Sequence, residues 1–161
     1  MSNPKPGQLI QPPNALRLRV GGGRPGGIDP AAIAKAEAAL QSLSGNFGQW
    51  LNDEVAKLEA ARQVVRSGGP TVENMEGLYF RAHDLKGLGA TYGYPLVTRI
   101  AGLLCRMIDD KQKRLEAPMS LVDAHIDAIK AAARDGIKTE DHPVGALLVK
   151  ELEGRVQAFG A

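Results

Sequence analysis

The sequence predicts an all-α protein, an antiparallel four-helix bundle with extra short helices at its N-terminal and C-terminal sides. Three observations predict it. From Asp29 onward, apolar residues recur every three or four positions in six successive segments, the period of a helix face. Glycine, proline and capping residues fall between those segments. The folded part shows no strand-like alternation, and amphipathic segments joined by short loops are the pattern of antiparallel helices.

Asp29-Pro30 opens the first segment with a capping carboxylate and a proline at the first helical position. An alanine-rich helix to about Leu43 follows, with Ile33, Glu37 and Leu40 marking its turns, and Ser44-Gly45-Asn46 breaks it. A second helix from about Phe47 to Arg66 carries Trp50, Leu51, Val55, Leu58, Arg62 and Val65, with Trp50 as an anchor in the bundle. Ser67-Gly68-Gly69-Pro70 stops it. The third helix covers roughly Val72 to Tyr92, and Met75, Leu78, Ala82, Leu85, Gly89 and Tyr92 form one stripe along it. Gly93 supplies a left-handed stop, and Pro95 opens a fourth helix that runs to about Leu115. Ser120 and Asp123 resemble a capping box for a fifth helix, which Gly136 closes. A last helix begins near Pro143. Helices two to five form the central four, and the first and last cover ends or flanks.

Composition narrows the function classes. At 161 residues and 17.1 kDa, one compact domain is expected, with no room for a large nucleotide-binding domain beside a second fold. Net charge is +2 and aromatics are 4%, which argues against a nucleic-acid coat or a base-stacking platform. One cysteine, Cys105, excludes an internal disulfide or a cysteine-built zinc site and fits a reducing compartment. Residues 1–28 hold Lys5, Arg17, Arg19 and Arg24 and no acid, so they carry +4 and leave −2 for the remainder. Rich in proline and glycine, they read as a flexible basic tail, with the helical domain over 29–161 and its core bundle over about 46–137. Leu16, Leu18 and Val20 alternate like a strand but have no partner strand. The chain lacks a secretory apolar region and a membrane span, so a cytoplasmic protein, with neither membrane nor nucleic acid among its partners, is expected.

The third helix breaks the rules of an ordinary bundle. Glycine costs about 1 kcal/mol against alanine in a helix, yet Gly77, Gly87 and Gly89 all lie there. Gly89, on the apolar stripe, lets two helix backbones approach closely. Gly87 lies off the stripe, on the side of His83 one turn earlier, and leaves the flank of that histidine open. Lys86 follows His83 by three residues, and Phe80 and Ala90 lie near the same surface. An imidazole is nucleophilic when neutral, and a lysine in reach offsets the charge of an incoming phosphoryl group.

The run His83-Asp84-Leu85-Lys86-Gly87, continued through Leu88-Gly89-Ala90-Thr91-Tyr92-Gly93, resembles the signature of the histidine-containing phosphotransfer (HPt) domain. That pattern is a histidine, a lysine three on, a glycine four on, and often a further glycine ending the helix. The resemblance covers roughly residues 46–137. It implies a phosphorelay intermediate, a phosphocarrier rather than an enzyme, in a two-component regulatory system. His83 would be the phosphorylated nucleophile, Lys86 would steady the phosphoryl group and Gly87 would leave room for it. The implied partners are response-regulator receiver domains, including the receiver of a hybrid histidine kinase, which bring their own Mg²⁺; no cofactor is implied for this chain. From helix geometry, Tyr79, Phe80, Asp84 and Ala90 are expected to meet the receiver, and a self-contained core suggests a monomer. Some members place a glutamine on the following helix to hold the second ring nitrogen. Cys105 and Arg106 stand near that place here, so the group that orients the imidazole is left open.

Two other readings compete. The phosphoacceptor and dimerisation part of a sensor histidine kinase also presents a histidine on a bundle helix, but there an arginine–threonine–proline run follows, where this chain has Leu85-Lys86-Gly87. An adaptor bundle that only binds partners would not need His83 and Lys86. Elsewhere, His125 beside the fifth apolar stripe reads as a packing or surface residue and His142 before Pro143 as a turn or cap. Cys105 reads as a buried structural thiol, and Asp109-Asp110 with Lys111, Lys113 and Arg114 as a solvated helix end. No two histidines have metal-ligand spacing.

Overall fold

The computed structural model describes residues 27–161. The expected tail over 1–28, with its apolar Leu16, Leu18 and Val20, falls almost wholly outside them. Among the described residues there are six helices and no strand: α1 Pro30–Gly68, α2 Val72–Thr91, α3 Pro95–Ile108, α4 Lys113–Glu116, α5 Met119–Asp135 and α6 Pro143–Phe159. Contacts divide the chain into Met1–Leu40 and Gln41–Ala161. In the first unit Asp29 caps α1 as expected, its Oδ1 accepting the Ala31 amide at 3.1 Å, and residues 27–40 are exposed.

The break expected at Ser44-Gly45-Asn46 does not occur, and the first two expected helices are one. Gly45 keeps a negative φ, and a glycine that holds helical dihedrals costs propensity without ending the helix. Further along α1, Leu51, Val55, Leu58, Arg62 and Val65 are buried, on the face the sequence indicated.

The core of the second unit is organised around α3. Nine of its residues are buried, among them Leu96, Ile100, Leu104 and Ile108, and α2, α4, α5 and α6 all pack against it. Burying that many apolar side chains contributes about 1.5–3 kcal/mol for each of the large ones. The buried residues of α2 are Met75, Leu78, Ala82, Leu85 and Gly89, the predicted stripe without Tyr92, which caps the helix half-buried. At its start the Thr71 hydroxyl accepts the Asn74 amide at 3.1 Å. At its end Gly93 turns the chain with φ +86°, and Pro95 begins α3. At Gly89 the backbone of α2 lies close against the start of α3. A Cβ there would lie 2.7 Å from the Thr98 backbone nitrogen and from Thr98 Oγ1.

From the same buried face of α1, Arg62 reaches α5 through ions. Arg62, 3% exposed, donates Nη1 to Asp127 Oδ1 at 2.7 Å and Nε to Glu59 Oε2 at 2.8 Å. Asp123 stands 3.5 Å from Arg62 and 3.4 Å from Arg66. It therefore serves as a counter-charge, and the expected capping box is absent: α5 starts at Met119 behind Pro118, with no side-chain cap. Gly136 closes α5 in the left-handed conformation, as predicted.

The fourth expected helix ends early, at Ile108 rather than near Leu115. Asp110 Oδ1 accepts the amides of Gln112 and Lys113 at 2.8 and 2.9 Å, which turns the chain into the short α4. Arg114 then folds back under the turn, 4% exposed, donating Nε to the Ile108 carbonyl at 2.7 Å and Nη2 to the Asp109 carbonyl. The solvated helix end expected here is thus half right: Asp109, Asp110, Lys111 and Lys113 are exposed, and Arg114 is buried.

Candidate functional site

His83 lies in the middle of α2 and is exposed. The helix sorts its residues into two faces. Residues 75, 78, 82, 85 and 89 face the core, while Phe80, His83, Gly87 and Ala90, spaced three, four and three apart, are all exposed. Side chains on a helix lean toward its N-terminus, so the imidazole lies over the turn of Tyr79 and Phe80. Its C-terminal flank is open: a Cβ placed on Gly87 would meet nothing within 4 Å. The two glycines of the motif therefore differ, Gly89 making room for a neighbouring helix and Gly87 facing open space.

Lys86 is exposed and stands three residues from His83, within one turn. Its aliphatic stem runs past α3, since a Cβ on Gly102 would lie 4.0 Å from Lys86 Cγ. Cys105 sits beneath this region, 4% exposed. Burial pushes its thiol up to about 11; the Lys86 ammonium opposes that shift and the Asp109 carboxylate adds to it. A thiol so held is a packing group at neutral pH.

Of the four side chains expected to meet a partner, Phe80 (56% exposed), Asp84 and Ala90 lie at the surface. Asp84 is 3.8 Å from Arg81. The Ala90 amide donates to Thr98 Oγ1 at 2.7 Å, which ties this end of the face to α3. Tyr79 is half-buried and engaged from several sides. Its hydroxyl donates to Asp109 Oδ1 at 2.9 Å, the Arg114 guanidinium lies 4.6 Å above its ring, and its ring centroid is 5.9 Å from that of His83. The Asp109 hydrogen bond, burial and the Asp109 charge all raise the phenol's pKa, so the hydroxyl stays a donor.

This cluster is the part of the site that periodicity could not supply. Tyr79 and His83 are one helical turn apart and legible as neighbours, but Asp109 and Arg114 reach Tyr79 from a fold-back 30 to 35 residues on.

The remaining candidates take structural roles. His125 is fully buried; its Nδ1 lies 2.7 Å from the Leu121 carbonyl oxygen, and its Nε2 has no hydrogen-bond partner. Burial lowers its pKa, against the hydrogen bond to Leu121, which favours the proton. His142 caps α6, its Nδ1 accepting the Val144 amide at 3.1 Å. Trp50 is no interior anchor: it is 42% exposed and packs at a tilt against Phe47 and Tyr92 at centroid distances of 5.6 and 5.9 Å. A groove of about 320 Å³ between α1 and α2, lined by Lys57, Val64, Gly77 and Arg81 among others, does not include His83.

Among the described residues no three histidine, cysteine or acidic side chains are gathered to hold a metal ion, and no helix is long and apolar enough to cross a membrane. Comparison of the chain with family models, with curated proteins and with solved structures found no match.

Proposed function

We propose that this protein is a phosphorelay intermediate of the histidine phosphotransfer type. His83 accepts a phosphoryl group from the aspartyl phosphate of a response-regulator receiver domain and passes it to the aspartate of another. The observation that carries this reading is the exposed ring of His83 at mid-helix, with open space over Gly87 and the exposed Lys86 within one turn.

The chemistry asks little of this chain. Phosphoryl transfer rests chiefly on positioning and charge neutralisation. A lone pair of the neutral imidazole forms the N–P bond as the P–O bond of the acyl phosphate breaks, and the receiver's carboxylate leaves with that electron pair. The second leg reverses the exchange on a different receiver. Lys86 offsets the charge of the phosphoryl group once it rests on the ring. Gly87 keeps the approach clear, and Phe80 and Ala90 offer a small apolar rim to the docking surface. The receiver supplies the acidic cluster and its Mg²⁺.

The bundle implied by the same reading consists of the later part of α1 with α2, α3 and α5. Its support is the contact of Phe47 with Tyr92 at one end and the pairing of Arg62 with Asp127 along another flank.

The test is transfer of label from a phosphorylated receiver in the presence of Mg²⁺. The wild type should take up an acid-labile, base-stable phosphoryl group. His83→Gln should take up none while keeping its helical circular dichroism. Undiminished labelling of His83→Gln would reject the assignment, and labelling by ATP alone would favour a kinase fragment.

A further inference from the structure

An exposed histidine can turn about two side-chain bonds, so on its own it presents either ring nitrogen in several directions. The other two histidines are held through a ring nitrogen, His125 at the Leu121 carbonyl and His142 by the Val144 amide. His83 has a different kind of contact. Its ring meets that of Tyr79, one turn earlier, at 5.9 Å between centroids and 46° between planes, within the range of favourable tilted aromatic pairs.

Tyr79 is itself clamped. Its hydroxyl is tied to Asp109 at 2.9 Å, and one ring face is covered by the Arg114 guanidinium at 4.6 Å. Arg114 is fixed in turn by its hydrogen bond to the Ile108 carbonyl at 2.7 Å and by burial to 4% exposure. A buried guanidinium that spends its donors on backbone carbonyls is a rigid support, because releasing it would leave those groups unpaired. The contacts therefore run from the Ile108–Arg114 turn through Tyr79 to His83.

We infer that Tyr79 is a positioning residue for His83: clamped by Asp109 and Arg114, its ring holds the imidazole in one direction, so that the same ring nitrogen faces the incoming phosphorus. This inference rests on the phosphoacceptor role proposed above. It gives the orientation task to an aromatic contact on the same helix rather than to a side chain at Cys105 or Arg106, since Cys105 is a buried thiol and Arg106 donates to the Ala161 carbonyl.

The experiment uses the full chain and phosphoramidate, a donor small enough to need no docking surface. The lone pair of one ring nitrogen forms the N–P bond, the P–N bond of phosphoramidate breaks, and ammonia leaves with its electron pair. Which nitrogen reacted is read by ³¹P NMR at early times. The wild type should give one phosphohistidine isomer, and cross-relaxation between the ring protons of His83 and Tyr79 should be visible before phosphorylation. Tyr79→Leu should give both isomers. Its maximal rate of transfer from a phosphorylated receiver should fall on the order of tenfold with KM unchanged, the signature of lost alignment. Tyr79→Phe, which keeps the ring, should retain the single isomer. Asp109→Ala removes only the hydroxyl's acceptor and should mix the isomers in part, which keeps the test decisive if Tyr79→Leu fails to fold. A wild-type isomer ratio in Tyr79→Leu, or in Asp109→Ala where the former is unfolded, overturns the inference. If no phosphorylated receiver labels the wild type, the relay reading fails, while the isomer ratio and ring contacts still decide the role of Tyr79.

Discussion

Gly87 and Gly89 are two residues apart on one helix, and replacing each by alanine should move stability in opposite directions. At Gly87 the new methyl group meets nothing within 4 Å, so only helix propensity changes. Gly87→Ala should stabilise by about 1 kcal/mol, raising Tm by about 2–4 °C for a chain of this size. At Gly89 the methyl group would stand 2.7 Å from Thr98 N and Oγ1 and 3.1 Å from the Tyr94 carbonyl oxygen. Two of those three atoms belong to the backbone, so a rotamer change cannot relieve the overlap. The start of α3 must move away, straining the Tyr94 amide to Gly89 carbonyl bond of 2.8 Å and the Ala90 amide to Thr98 Oγ1 bond of 2.7 Å. Overpacking costs about 1–3 kcal/mol and a weakened hydrogen bond about 1, against about 1 gained in propensity. Gly89→Ala should therefore destabilise by about 2 kcal/mol. Urea unfolding followed by far-ultraviolet circular dichroism measures both. Gly89→Ala at or above wild-type stability, or Gly87→Ala below it, would refute the division of labour between the two glycines.

Two further outcomes follow from buried groups. With its thiol pushed up to about 11 from an ordinary 9.0, Cys105 should react with iodoacetamide at least about a hundredfold more slowly in the native protein at pH 8 than in urea; equal rates would contradict its burial. His125 loses proton affinity on folding. Above about pH 6.5 it is neutral in both states; as pH falls below that, the unfolded chain takes up the proton first and unfolding gains. The urea midpoint should thus decline between pH 7 and 5, and His125→Leu, which also removes the unpartnered Nε2, should flatten that decline; an unchanged slope would assign it to other groups.

Much of this fold was legible because its punctuation is local. Gly93 and Gly136 stand where the chain needs a positive φ, Pro95 and Pro143 where a helix needs no amide donor, and the three-and-four spacing of Met75 to Gly89 names the buried face of α2. What escaped depends on partners distant in sequence or on the absence of a requirement. Ser44-Gly45-Asn46 permits a break, but nothing in the structure demands one, and the helix continues. Arg114 looks like a surface charge until the Ile108 carbonyl is brought to it, and Arg62 lies on the predicted face but shows no partner in the sequence until Asp127 reaches it. Trp50 has the size of an interior anchor, yet it packs at a tilt against Phe47 and Tyr92 near the surface. In the candidate site, the open flank of His83 could be read from Gly87 alone. The clamp on Tyr79 could not, because Asp109 reaches it across 30 residues through a turn that the helical pattern of 95–115 conceals.

A relay intermediate must hand on what it receives. The protein labelled by one receiver, separated from that donor and mixed with a second, unphosphorylated receiver and Mg²⁺, should lose its phosphoryl group as the second receiver gains it in equal amount. Label that stays on the protein, or appears only as inorganic phosphate with every receiver tried, would contradict the account.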